Sequence, residues 1–99
     1  AFRLDVNGAP ERAGAFVYLL KLSASTDVPV HRHSVVLRAR LRSGSQTIVL
    51  EPPGAPPRTI TLRPGDVFEI PAGVLHRDSF VGASVVELSG VGPVKTDRP

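Results

Sequence analysis

The chain has 99 residues, 41% of them hydrophobic, and a net charge of +3, which is enough for one small domain with a real core. Cysteine is absent, which excludes a disulfide framework, a thiolate nucleophile and a cysteine metal site. No stretch is apolar for long enough to span a membrane as a helix, and nine glycines with ten prolines argue for short strands and turns rather than long helices.

Phe2 to Val6 alternates weakly and is predicted as an edge strand, followed by a turn at Asn7-Gly8-Ala9-Pro10. Ala15 to Leu22 is the most apolar run, and its aromatic and β-branched start predicts a strand. Ser23 to Val28 reads as a polar loop. Val30 to Arg42 reads as one strand with two distinct faces. His31, His33, Val35, Leu37, Ala39 and Leu41 share the apolar face, and Arg32, Arg38, Arg40 and Arg42 share the other. That arginine row can be an anion or nucleic-acid surface, or a solvated or subunit-contact face of a sheet. The lack of interleaved aromatics and the modest charge favour the second. Ser43-Gly44-Ser45 is a predicted turn and Gln46 to Glu51 the return strand of a hairpin. Pro52 to Pro57 cannot pair in a central strand and reads as an exposed loop.

Arg58 to Arg63 alternates again. Pro64-Gly65-Asp66 turns the chain into a short strand, Val67 to Ile70, and Pro71-Ala72-Gly73 makes a rigid corner that delivers His76. A second hairpin is expected from Arg77–Phe80 and Ser84–Ser89 around Val81-Gly82-Ala83. Residues 91–99 are expected to be an irregular tail beyond a barrel core at about 15–90, within one domain of residues 1–99. Short strands at regular spacing predict an all-β barrel or sandwich. Methionine is absent, so a trimmed, processed or partial product is expected, with no signal peptide in the sequence.

The chain has three histidines, and all fall in two local motifs. His31 and His33 point the same way along a strand, about 6.6 to 6.8 Å apart at Cα. Their imidazoles can converge on one ion, and a third from another strand leaves further positions open to water or substrate, as catalytic sites do. A bare His-x-His is weak evidence, because one strand histidine is most often a polar residue with a partner. Two on the apolar face plus a third after a Pro-x-Gly corner point to metal. Imidazole suits several metals, so ligand type does not choose among them. Free imidazole titrates near pH 6.5, which predicts metal affinity falling below about pH 6.

These motifs resemble those of the cupins. The second cupin motif is matched by Gly65, Pro71, Gly73 and His76, and the first by His31, His33 and Gly44. The match departs in three places: Ser25 replaces the opening glycine, Leu37 (beside Arg38) replaces the ligand glutamate, and Phe80 replaces the closing asparagine. Gly90-Val91-Gly92-Pro93 is also similar to the end of small single-domain cupins, some of them exported. The resemblance implies a cupin-type double-stranded β-helix (jelly-roll) barrel whose metal ligands are His31, His33 and His76.

Some cupin dioxygenases and zinc-binding cupins are similar in using three histidines. The expected cofactor is therefore a divalent metal ion, Fe, Ni, Mn or Zn. Three neutral imidazoles leave the ion's charge uncompensated, which favours anionic ligands. Asp78 lies on the face of His76 if the strand is unbroken, and is a candidate base, outer partner or replacement ligand. Tyr18 is a candidate pocket residue. An exposed strand-end aspartate and a buried, satisfied tyrosine are the plainer alternatives. The expected function is a metal-dependent enzyme of dioxygenase, decarboxylase or isomerase type acting on a small oxygen-rich substrate. The alternative is a non-catalytic metal- or ligand-binding or sensing module. The expected partners are a small-molecule substrate or ligand and a second copy in a homodimer, with no nucleic acid and no membrane. A soluble protein of cytoplasm or periplasm is expected.

Overall fold

Glycine and proline divide the chain into short extended segments, and alternation gives each segment one apolar face. The computed structural model describes residues 1–99 and contains ten strands and no helix: β1 (Phe2–Asn7), β2 (Gly14–Leu22), β3 (Thr26–His33), β4 (Leu37–Ser43), β5 (Gln46–Glu51), β6 (Arg58–Leu62), β7 (Val67–Ile70), β8 (Leu75–Phe80), β9 (Ser84–Gly92) and β10 (Thr96–Asp97). They form two five-stranded sheets, ordered β1-β2-β9-β4-β7 and β10-β3-β8-β5-β6, with antiparallel pairing throughout. After β2 the chain passes from sheet to sheet at every connection except β5 to β6, which is the path of a jelly roll.

The inner faces of both sheets meet in one cluster of 12 buried apolar residues, among them Phe16, Leu41, Ile48 and Val86. The alternation predicted from His31 to Leu41 holds: His31, Leu37, Ala39 and Leu41 are buried, and Arg32, Arg38, Arg40 and Arg42 are exposed. Arg38 stands opposite Glu69 and Arg40 opposite Glu87. Arg42 Nη1 donates to Glu87 Oε1 at 2.8 Å.

The predicted single strand from Val30 to Arg42 is two strands in different sheets, broken at Ser34–Val36. Because three residues intervene, the inward parity carries across the break. Both predicted hairpins are also corrected, since β4 and β5 lie in opposite sheets, as do β8 and β9. The Gly44 turn is a corner between sheets. Its φ is +87°, and a Cβ there would lie 2.1 Å from Ser84 Oγ and 2.6 Å from the Ala83 carbonyl. Alternation reports which way a side chain faces but not which sheet it joins. The actual hairpin crosses the proline-rich loop, joining β5 to β6.

The predicted polar loop is shorter than expected, since Thr26 to Val28 already belong to β3. The tail is more ordered than expected. β9 runs to Gly92, and Thr96 and Asp97 pair with His33 and Arg32. The tail is anchored by Ser34 N–H to the Lys95 carbonyl (2.9 Å), Lys95 N–H to Ser34 Oγ (2.9 Å) and Val94 N–H to the Pro10 carbonyl (2.7 Å).

Candidate metal centre

β3 and β8 are neighbours in one sheet, and their register places His31 directly opposite His76. His33 lies one inward step further along β3. The corner before β8 is tied to the same strand, because Gly73 N–H donates to the His33 carbonyl at 2.8 Å. Gly73 holds a φ of +75°, which glycine adopts without strain. The two histidine motifs are thus joined through backbone as well as through side chains.

The three rings form a compact group, with centroids 4.3 Å apart for His31 and His76, 4.8 Å for His31 and His33, and 5.1 Å for His33 and His76. One nitrogen of each lies within 4.8 Å of the other two, close enough for a single ion to reach all three. The outer nitrogens are all engaged. His31 Nδ1 meets the Pro29 carbonyl at 2.6 Å, and His76 Nδ1 meets the Val74 carbonyl at 3.1 Å. A carbonyl only accepts, so both Nδ1 atoms carry the proton and both Nε2 atoms present a lone pair. His33 Nδ1 meets Thr96 Oγ1 at 2.9 Å. His76 Nε2 is buried with no hydrogen-bond partner. An orphaned lone pair among two other imidazoles fits a divalent cation, and the tethered Nδ1 atoms fit the outer bonds that orient metal-binding histidines.

A cavity of about 120 Å³ adjoins the histidines. Asp78 and Tyr18, both singled out from sequence, line it. Asp78 is 9% exposed and lies outside the three-histidine cluster. Leu37, where the motif it resembles carries a glutamate, is buried and lines the cavity, while the neighbouring Arg38 faces solvent. Two cavity or support residues escaped the sequence reading. Gln46 lines the cavity, and its signal was a polar residue at an inward position two before Ile48. Thr96 holds His33 from the tail, and nothing in its local sequence marks it.

Burial lowers the His33 pKa from 6.5 to about 4, with His31 and His76 adding like-charge repulsion. Burial also lowers His76, partly offset by the Val74 carbonyl and by Asp78. These shifts carry the protons' competition with metal below the range expected of free imidazole. Burial raises the Asp78 carboxyl against the pull of His76, His31 and Gln46, and raises the Tyr18 hydroxyl.

No family model and no curated protein sequence matches the chain. Solved structures do resemble it. A cupin-2 domain containing protein from Shewanella frigidimarina superposes with a TM-score of 0.70 at 16% identity, over 92% of this chain and 80% of its own. The chain has the cupin fold. Vicilin from Capsicum annuum shares it, with a TM-score of 0.74 at 16% identity over 85% of this chain and 25% of its own. An oxalate decarboxylase from Lactobacillus farciminis, in a formate complex, gives a TM-score of 0.76 at 15% identity, over 92% of this chain and 28% of its own. The chain therefore spans about a quarter of these two larger cupin chains.

Two outcomes are expected of this centre. Thr96→Val should weaken metal binding by about 10- to 100-fold in a chelator competition, and Thr96→Ser should restore it. An unchanged affinity in the valine variant would show that the tail does not orient His33. The second outcome concerns the metal-free protein. Folded His33 takes a proton only near pH 4 and the unfolded chain near 6.5, so between these values the unfolded state binds more protons and stability falls with falling pH. Asp78 acts in the opposite sense, since its raised pKa contributes stability in acid that is lost as pH rises through it. Tm should decline from pH 6.5 toward 4, and His33→Asn should flatten that decline. An unchanged slope in the His33→Asn variant would contradict the shielding of His33.

Proposed function

We propose that this chain is a divalent-metal cupin that acts on a small oxygen-rich substrate through His31, His33 and His76, in a reaction of dioxygenase, decarboxylase or isomerase type. The observation that carries the reading is the buried, unpartnered Nε2 of His76 beside two imidazoles whose Nδ1 atoms are already engaged. Fe, Ni, Mn and Zn all suit this donor set. A bound divalent ion supplies Lewis acidity toward a substrate oxygen. The residues around it have separable tasks. His31, His33 and His76 hold position through their Nδ1 bonds. Asp78, raised by burial, accepts or returns a proton at its carboxylate near the substrate. Tyr18, kept protonated by burial, donates its hydroxyl hydrogen. Leu37, Ile70 and Leu88 keep the cavity wall apolar and exclude bulk water.

A second reading, a non-catalytic metal- or ligand-binding or sensing module, is supported by Leu37 standing where a ligand carboxylate would be and by the small cavity. Turnover separates the two. We also propose a homodimer. The edge strand β1 exposes Phe2 and Leu4 on one face, with Val6 exposed at the bulge that follows, which is an apolar surface that a second copy can cover.

Untagged protein is expected to carry near-stoichiometric metal by elemental analysis, and a His31→Ala/His76→Ala double variant to carry almost none. No metal, with none taken up on reconstitution, would overturn the metal reading. Oxygen uptake or carbon dioxide release by the loaded protein over a panel of small oxyacids favours the enzyme, and tight metal with no turnover favours the sensor. Sedimentation should give twice the chain mass, and Phe2→Ser/Leu4→Ser should lower it to one chain. A monomeric unaltered protein would refute the dimer.

A further inference from the structure

Gln46 opens β5 and faces the barrel interior with Ile48 and Leu50. The residue is 2% exposed. Nε2 donates to Asp78 Oδ1 at 3.4 Å, and Oε1 is buried with no partner. Only one other buried side-chain nitrogen or oxygen shares that condition, His76 Nε2, and both residues line the same cavity. The histidine nitrogen has an explanation in the metal. The glutamine oxygen needs a different one. Gln46 pairs with Phe80, whereas Leu50 is the residue opposite His76, so roughly 13 Å of strand separate the glutamine from the level of the imidazoles. Gln46 stands at the far end of the cavity from His76, beyond Asp78.

Buried acceptors are normally satisfied, and a donor on a molecule entering the cavity can supply the missing bond. The charge of the cavity narrows the choice. No lysine or arginine lines it, and all twelve basic side chains of the protein are exposed. An anionic group at the Gln46 end would face an amide oxygen and the Asp78 carboxyl with no cation to offset it. A hydroxyl there would donate to Gln46 Oε1. We infer that the ligand of this site is a small hydroxy acid, anionic at the metal end and bearing a hydroxyl at the Gln46 end, and not a dicarboxylate. This rests on the reading that the three histidines hold a divalent ion.

A matched pair of probes tests it. 3-Hydroxypropionate and malonate have the same carbon count and differ in the distal group. Their binding to cobalt(II)-loaded protein is measured by calorimetry and by the visible cobalt spectrum, for the unaltered protein and for Gln46→Leu. Loss of the acceptor should weaken 3-hydroxypropionate about tenfold and leave malonate unchanged or tighter. Equal losses for both ligands, or an unchanged 3-hydroxypropionate affinity in a variant that still takes up cobalt, would overturn the inference while leaving the metal reading intact. Failure of the unaltered protein to take up cobalt would overturn both. If Gln46→Leu does not fold, Gln46→Met keeps the chain length. The unaltered protein alone also decides the point: propionate, lacking the hydroxyl, should bind about tenfold more weakly than 3-hydroxypropionate. Equal binding would overturn the inference.

Discussion

The register between β3 and β8 is the constraint on which the site depends, and it contains an irregularity that the site needs. Val28 pairs with Asp78 and His31 with His76, so three steps on β3 match two on β8. Without an extra residue, Val28 and His31 would face opposite sides of the sheet. The bulge at Pro29 and Val30 resets the parity, and Val28, His31, His76 and Asp78 all reach the same cavity. Proline suits the position, because no partner is in register with it and its missing N–H removes no ladder bond. Its carbonyl then accepts from His31 Nδ1, so one residue shapes the strand and fixes the ring.

The same economy recurs at His76, whose Nδ1 bonds a carbonyl two residues back. In both cases the backbone sets the tautomer locally. His33 has no such local carbonyl and depends on Thr96, 63 residues further along the chain. The three histidines therefore differ in robustness, although they look equivalent as donors. Charge is arranged with similar asymmetry. The arginines lie outside, interleaved with Glu69 and Glu87, and the cavity is lined by three histidines, one carboxyl, one amide and one tyrosine among apolar walls. A cation at the histidines would be the single strong positive charge in that interior, so it would set the orientation of any polar ligand.

Much of this was legible in the sequence. The inward face from His31 to Leu41 followed from alternation, and the second histidine motif from the spacing of Gly65, Pro71, Gly73 and His76. Sheet membership was not legible. Ser43-Gly44-Ser45 looks the same in a hairpin and at a corner between sheets, and only the packing of Gly44 against Ser84 tells them apart. The bulge was hidden for a related reason: a proline flanked by two valines reads as a loop end until the partner strand is known. Thr96 was invisible because its role lies entirely in a distant pairing.

The path of the chain also fixes when the centre can come into being. His31 and His33 leave the ribosome well before His76, and the partner of His33 follows later still. The final strand, β10, docks on β3 and so needs that strand already in place. Contacts this remote in sequence form late and slowly. A nascent chain presents at most a loose His-x-His pair, so the three-imidazole cluster exists only in the finished barrel and not in the emerging polypeptide.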